Sequence, residues 1–251
     1  MALTRRRLLF GGLTAAAGVS GLAAAGLLAR RNGLLPPSYH SPYALGEILD
    51  YASQRLLMAR HPLAREFSLA EVSKFTPVKG RPPQSDDYLR LASSAFSDWR
   101  LELAGLVASP ASFTLADLVK CPTSSQITLH ACEEGWSYIA HWSGVSLAWL
   151  LGQAGIAARA RYVVFYCHDG WWGSLDMEDA LHPQTLLALA LNGKQLSIEH
   201  GAPLRLRVPR QMGYKSFKWV YRIAVVDSLK DIGHGRPDLS TNYGYSWYAG
   251  I

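Results

Sequence analysis

Hydrophobic and polar positions fall into three regimes along the chain. From Leu8 to Ala29 there is no charge, and Ala, Gly and Leu dominate. Further on, Leu45, Ile48, Leu49, Ala52, Leu56 and Leu57 recur near helical spacing, which predicts an amphipathic helix. Ser41 supplies its cap, Pro42 fits its first turn and Pro62 marks its end. Residues 76–87, with Pro77, Gly80, Pro82 and Pro83, read as an irregular loop.

From Trp99 onward the period shortens. Residues 99–103 alternate as a strand does, and Thr114 with Asp117 forms a capping box that opens a short helix. Residues 126–131 read as a strand that runs directly into Cys132. Ser146 caps a helix over 147–154, and Gly155 ends it. Residues 161–167 are β-branched and aromatic, as a buried strand requires. Asn192-Gly193 between 186–191 and 194–197 predicts a hairpin with a primed turn. Two more strands are expected over 204–208 and 217–226. Short strands mixed with capped helices, without regular βαβ alternation, indicate an α+β fold.

Charge changes the picture only at the N-terminus. The formal net charge is +6, yet Arg5, Arg6, Arg7, Arg30 and Arg31 lie in a 31-residue stretch without a single acid. The remainder is almost neutral, so a nucleic-acid-binding surface is not expected. Thr4-Arg5-Arg6-Arg7-Leu8-Leu9 followed by the uncharged run reads as a twin-arginine (Tat) export signal over residues 1–31. Ala23-Ala24-Ala25 offers a cleavage site. The run is also about long enough to span a bilayer, so an uncleaved anchor touching the inner membrane is the alternative. Residues 32–71 then form a linker and helical lead-in, and residues 72–251 the main domain.

The three cysteines, Cys121, Cys132 and Cys167, fit no metal-finger spacing. Cys132 follows a strand end and precedes Glu133 and Glu134. Carboxylates beside a thiol raise its pKa and make it a poor free nucleophile. A bound metal deprotonates its own thiol ligand, so acids nearby are compatible with that role. A soft thiolate suits a transition metal. The residues alone leave open a buried structural cysteine.

Several segments carry a resemblance. His130-Ala-Cys132-Glu-Glu-Gly-Trp136-Ser resembles the segment around the molybdenum-binding cysteine of the sulfite-oxidase-like family. Trp142-Ser-Gly144-Val-Ser-Leu147 and the stretch from Leu175 to Pro183 follow in order. So do Gly201-Ala-Pro-Leu-Arg205-Leu-Arg-Val-Pro209, Gly213-Tyr-Lys215-Ser-Phe-Lys218 and Gly244-Tyr-Ser-Trp-Tyr-Ala-Gly250. The likeness is strongest to the bacterial branch that includes catalytic subunits of periplasmic methionine-sulfoxide reductases.

That resemblance implies one molybdopterin-binding oxidoreductase domain. Its cofactor is molybdenum-molybdopterin, with Cys132 as the catalytic metal ligand. It carries pterin contacts onto Arg205, Ser216, Phe217 and Lys218, and onto Lys79, Cys167 and His200. Relatives often have Thr at Cys167 and Asn at His200, and the segment at Lys79 lacks their Asn pair. Ala131 stands where many relatives place an Arg, which argues against an anionic substrate such as sulfite and for a sulfoxide or other S- or N-oxide. His141, Trp142, Trp171 and Trp172 are candidate pocket residues.

The expected reaction is two-electron oxygen-atom transfer in an exported, periplasmic enzyme. Its substrate would be a small molecule or oxidised methionine in proteins. With no Cys-x-x-Cys-His haem site, electrons are expected from a separate partner such as a membrane haem protein. The residues after Val226 are too few for the immunoglobulin-like domain of classical sulfite oxidases. The rival readings are sulfite-type oxidation, a cofactor-free exported binding domain and a thiol redox protein.

Overall fold

A computed structural model describes residues 35–37, 44–60 and 63–251. The expected export signal, the Ser41-Pro42 cap and the Pro62 stop lie outside the described residues.

Helix α1 (Ala44–Arg60) occupies the segment with helical apolar spacing. Helix α2 (Asp86–Ser93) starts inside the segment expected to be loop, because Ser85 accepts a hydrogen bond from the Tyr88 N–H at 3.4 Å and caps it. Then come β1 (Arg100–Gly105), β2 (Ala111–Thr114), α3 (Leu115–Lys120), β3 (Thr123–Ala131), β4 (Ser137–Ser146) and α4 (Leu147–Ala154). The chain continues through β5 (Tyr162–Cys167), β6 (Trp172–Asp176), α5 (Met177–Ala180), β7 (Leu186–Leu191), β8 (Lys194–Gln195), β9 (Arg205–Arg207) and β10 (Val220–Val226).

Two sheets result. One has the order β2-β1-β10-β5-β6, in which β1 and β10 run parallel and the other pairs antiparallel. The other has the order β3-β4-β7-β8 with β9 also on β7, antiparallel throughout. The capped helices pack with these sheets in the expected α+β arrangement. Leu101, Leu103, Val163, Phe165, Ile223 and Val225 of the first sheet share one core with Leu147, Leu150 and Leu151 of α4 and Leu187 and Leu206 of the second.

Local chemistry explains most boundaries. The primed turn forms at Asn192 (φ 51°) and Gly193 (φ 75°). Gly155 ends α4 at φ 70°, as expected. Strand β4 was not evident as a strand, although Tyr138, Ala140 and Trp142 alternate inward along it. Its Gly144 is obligatory, since a Cβ there would sit 2.0 Å from the Leu187 carbonyl oxygen of β7. The strand expected from Phe217 begins only at Val220, because Trp219 takes φ 56° and donates its N–H to Gly201 instead. Residues 217 and 218 are thereby freed to face a cavity.

Candidate cofactor site

Cys132 is the first residue beyond β3. Its N–H donates to the Trp136 carbonyl at 2.8 Å, and its carbonyl accepts from Gly135 at 3.1 Å. These bonds close the β3–β4 hairpin, in which Gly135 takes φ 90°. Cys132, 5% exposed, lines a cavity of about 370 Å³. That volume suits a cofactor-sized ligand. Burial pushes the Cys132 thiol up to about 11, with the Glu133 carboxylate adding to it. An unliganded thiol there is protonated at neutral pH, and a metal would displace the proton.

Beside the thiol, Glu133 accepts from Cys132 Sγ at 3.3 Å and pairs with Lys79 Nζ at 2.6 Å. Lys79 also reaches Glu134 at 3.5 Å. Burial alone would raise the Glu133 carboxyl, but the Lys79 ammonium outweighs it and holds the group below its usual range.

Another part of the site is cationic. Period-two alternation along β9 puts Arg205 and Arg207 on one side of the strand. Both are buried and flank His130: Arg205 Nη2 lies 3.5 Å from its Nε2, and Arg207 Nη1 lies 3.4 Å from its Nδ1. Guanidiniums only donate, and a neutral imidazole accepts at one nitrogen, so only one of these contacts is a hydrogen bond. Burial and the two guanidiniums hold His130 well below its ordinary pKa, in the neutral form. Both arginines stand over the Trp142 ring, at 5.2 and 5.5 Å.

Among the described residues, no carboxylate comes within ion-pair distance of Arg205, Arg207 or Lys218. The Nε atoms of both arginines are buried without a hydrogen-bond partner. Lys218 Nζ donates to the carbonyls of Lys79 (2.6 Å) and Glu199 (3.0 Å). Burial, and after it Arg205, pushes the Lys218 ammonium down to about 7. Lys215, close by in sequence, is different: it is fully buried and paired with Asp238 at 2.7 Å.

Of the residues expected at a cofactor, Cys132, Lys79, Arg205, Ser216, Phe217 and Lys218 all line this one cavity. Cys167 does not. Its thiol is packed in the core, and its N–H donates to the Trp171 carbonyl at 2.9 Å, closing the turn that presents Asp169 and Trp171. His200 stands one layer back. Its carbonyl accepts from Arg205 Nη1 at 3.3 Å, and its ring Nε2 lies 3.2 Å from the Thr76 carbonyl. Trp171 is in the wall, Trp142 lies beneath the arginines, and His141 and Trp172 are not among the lining residues. Sequence reasoning passed over His130, Arg207, Trp136, Asp169 and Tyr245. The two-residue spacing from Arg205 could have revealed Arg207.

A sequence profile of the family described as "Oxidoreductase molybdopterin binding domain" matches residues 89–231, more than half of the chain. The chain belongs to this family. A putative protein-methionine-sulfoxide reductase subunit YedZ1 of Azospira oryzae is 39% identical over 165 residues, covering 66% of this chain and 60% of that protein. The protein-methionine-sulfoxide reductase catalytic subunit MsrP of Campylobacter jejuni is 30% identical over 143 residues, covering 50% of this chain and 48% of its own. The crystal structure of the sulfane dehydrogenase SoxCD from Paracoccus pantotrophus superposes with a TM-score of 0.51 at 25% identity, over 61% of this chain and 46% of that one. The chain thus matches about half to three fifths of the length of these relatives.

The family is described by an oxidoreductase's molybdopterin-binding domain. The chain's site fits the cofactor that the family implies. Cys132 offers a soft thiol at the cavity wall, Arg205 is a buried guanidinium without an ion-pair partner among the described residues, and half-buried Lys218 lines the same cavity, as an anionic group requires. Gly213 leaves room beside them: a Cβ there would come within 2.8 Å of His130 Nε2.

Proposed function

We propose that the chain is a Tat-exported enzyme that reduces a neutral S-oxide, with Cys132 as the thiolate ligand of a molybdenum-pterin cofactor. The observation that carries this reading is a buried thiol and a buried guanidinium without an ion-pair partner among the described residues, lining one cavity together with Lys218. When bound, the cofactor supplies the two-electron exchange that moves an oxygen atom onto or off sulfur. In balance, a sulfoxide takes up two protons and two electrons and leaves as the thioether, with its oxygen released as water.

The chain's residues supply binding and shape. Cys132 holds the metal from a hairpin turn whose backbone is fixed by two hydrogen bonds. Arg205, Lys218 and the Ser216–Phe217 backbone receive the anionic end of the pterin. Trp136, Trp171, Tyr214 and Tyr245 wall the cavity. Lys79, joined to the thiol through Glu133, is already paired with Glu133 and Glu134. A dianion beside Cys132 therefore meets acid, whereas a sulfoxide meets no net repulsion. The MsrP relatives are named for a methionine-sulfoxide substrate, which favours oxidised methionine, free or in proteins. Electrons come from a separate partner, for which a membrane haem protein is suited. Oxidation of reduced sulfur is the second reading, favoured by the fold likeness to a sulfane dehydrogenase.

One experiment tests these points together. The full chain is made in cells that synthesise the cofactor, and periplasm and cytoplasm are assayed separately. Reduction of a neutral sulfoxide with a dye donor should exceed sulfite oxidation by roughly tenfold or more in kcat/KM. The activity should be periplasmic, and replacing Arg5 and Arg6 with Lys should leave it in the cytoplasm. Efficient sulfite turnover without sulfoxide reduction would select the oxidative reading. Unchanged export of the Lys variant would remove the Tat assignment.

A further inference from the structure

Helix α1 is inverted. The face it turns to the domain carries a buried charge and one aromatic ring: Arg55 is buried against Asp176, Glu178 (2.9 Å) and Asp179 (3.3 Å), while the Tyr51 ring packs with Trp247 and Tyr248 and its hydroxyl donates to Asp176 at 3.0 Å. The face it turns outward is apolar. Leu45, Leu49 and Leu56 are 72%, 63% and 66% exposed, and Ala52 between them is exposed as well. At about 100° per residue these four fall within roughly 60° of one another, a single stripe along the helix. A surface helix ordinarily presents the reverse arrangement.

We propose that this leucine stripe lies in the interfacial layer of a phospholipid bilayer. The inference rests on reading residues 8–29 as the segment that brings the chain to a membrane. That uncharged run is about as long as a bilayer is thick. Only residues 30–43 separate it from α1, and they can stretch at most about 50 Å, so a membrane-held N-terminus keeps α1 near the same surface. The sequence is basic on both sides of the stripe, with Arg30 and Arg31 before it and Arg60 and Arg65 after it, which suits anionic headgroups. No helix among the described residues is long and apolar enough to cross a membrane. On this reading helix α1 rests on the surface, held to its own domain by the Arg55 ion pairs and the Tyr51 ring and to lipid by leucine.

The test uses full-length protein, loaded with cofactor and mixed with phosphatidylethanolamine–phosphatidylglycerol vesicles. A photo-crosslinking amino acid replaces Leu49 or, as a control, the exposed Val119 of α3. Position 49 should yield roughly tenfold more lipid adduct than position 119. The variant combining Leu45→Asn and Leu56→Asn should abolish most of the adduct at 49 while keeping the wild-type molybdenum content, which reports an intact fold. If the chain floats with the vesicles but position 49 crosslinks lipid no better than 119, the proposal for α1 fails and the membrane reading of the N-terminus stands. If position 49 captures a second copy of the chain, the stripe is a self-association face and the proposal is wrong. If the chain does not float at all, both fall.

Discussion

Two groups of buried arginines sit in this molecule under opposite conditions. Arg55 and Arg210 converge on Asp176, Glu178 and Asp179, with Gln211 donating to Asp179 at 2.6 Å. Arg205 and Arg207 converge on a neutral histidine and a tryptophan face, with no acid in reach among the described residues. The first group has its counter-charges within the fold and joins α1 to the β6–α5 corner. In the second, Arg207 donates to Thr128 and the Leu129 carbonyl, while Arg205 leaves positive charge at the cavity wall for something the described residues do not supply. Burying an unpaired charge costs several kcal/mol, so a fold tolerates it where a ligand completes the pairing. Burial of a charge therefore does not mark a functional site; burial without a partner does.

The first group should be the one that breaks the fold. Asp179→Ala leaves Arg55 with Asp176 and Glu178, leaves Arg210 with Glu178 and removes the acceptor of the Gln211 amide, so unfolding of the cofactor-free protein in denaturant should show a loss of about 1–3 kcal/mol. A loss below about 1 kcal/mol would mean the network is not structural. Breaking the second group should have the opposite signature. Arg205→Met removes a cation that nothing in the chain neutralises, so cofactor-free stability should change by less than about 1 kcal/mol. Retained molybdenum should nevertheless fall by roughly tenfold to a hundredfold, the worth of a charge-assisted contact of about 1.5–3 kcal/mol. A variant that keeps its metal would place the anion elsewhere.

A third pair sharpens the contrast from below. Arg90 and Asp87 sit only 2.7 Å apart but are 73% and 75% exposed at the side chain. Asp87→Ala should cost less than about 0.5 kcal/mol in the same denaturant experiment. A larger cost would show that distance, rather than burial, sets the scale here.

Much of this could be read from the sequence, for identifiable reasons. Caps and turns act within a few residues, so Thr114, Ser146, Gly155 and Asn192-Gly193 fixed their elements locally. The ordered motifs placed Cys132, Arg205 and Lys218, which the fold gathers from three separated segments. What stayed hidden depends on tertiary partners. Gly144 looks like a strand breaker until β7 is seen to pass against it. Lys215 and Lys218 are alike in sequence, and only the fold gives one an aspartate and leaves the other at the cavity. The resemblance carries a pterin contact onto Cys167, yet its thiol packs inward with the core. The inverted face of α1 was invisible because a leucine stripe at helical spacing ordinarily marks the buried side.

The central claim is that Cys132 and the cations lining the same cavity hold a molybdenum-pterin group. Metal analysis of the full chain, purified from cells in which a second molybdoenzyme is verified as loaded, tests it most directly. X-ray absorption would be recorded on the same sample. The account predicts about one molybdenum per chain and one sulfur ligand fewer, or no metal, in Cys132→Ser. Wild-type protein without molybdenum, or a Cys132→Ser variant with an unchanged sulfur shell, would contradict it.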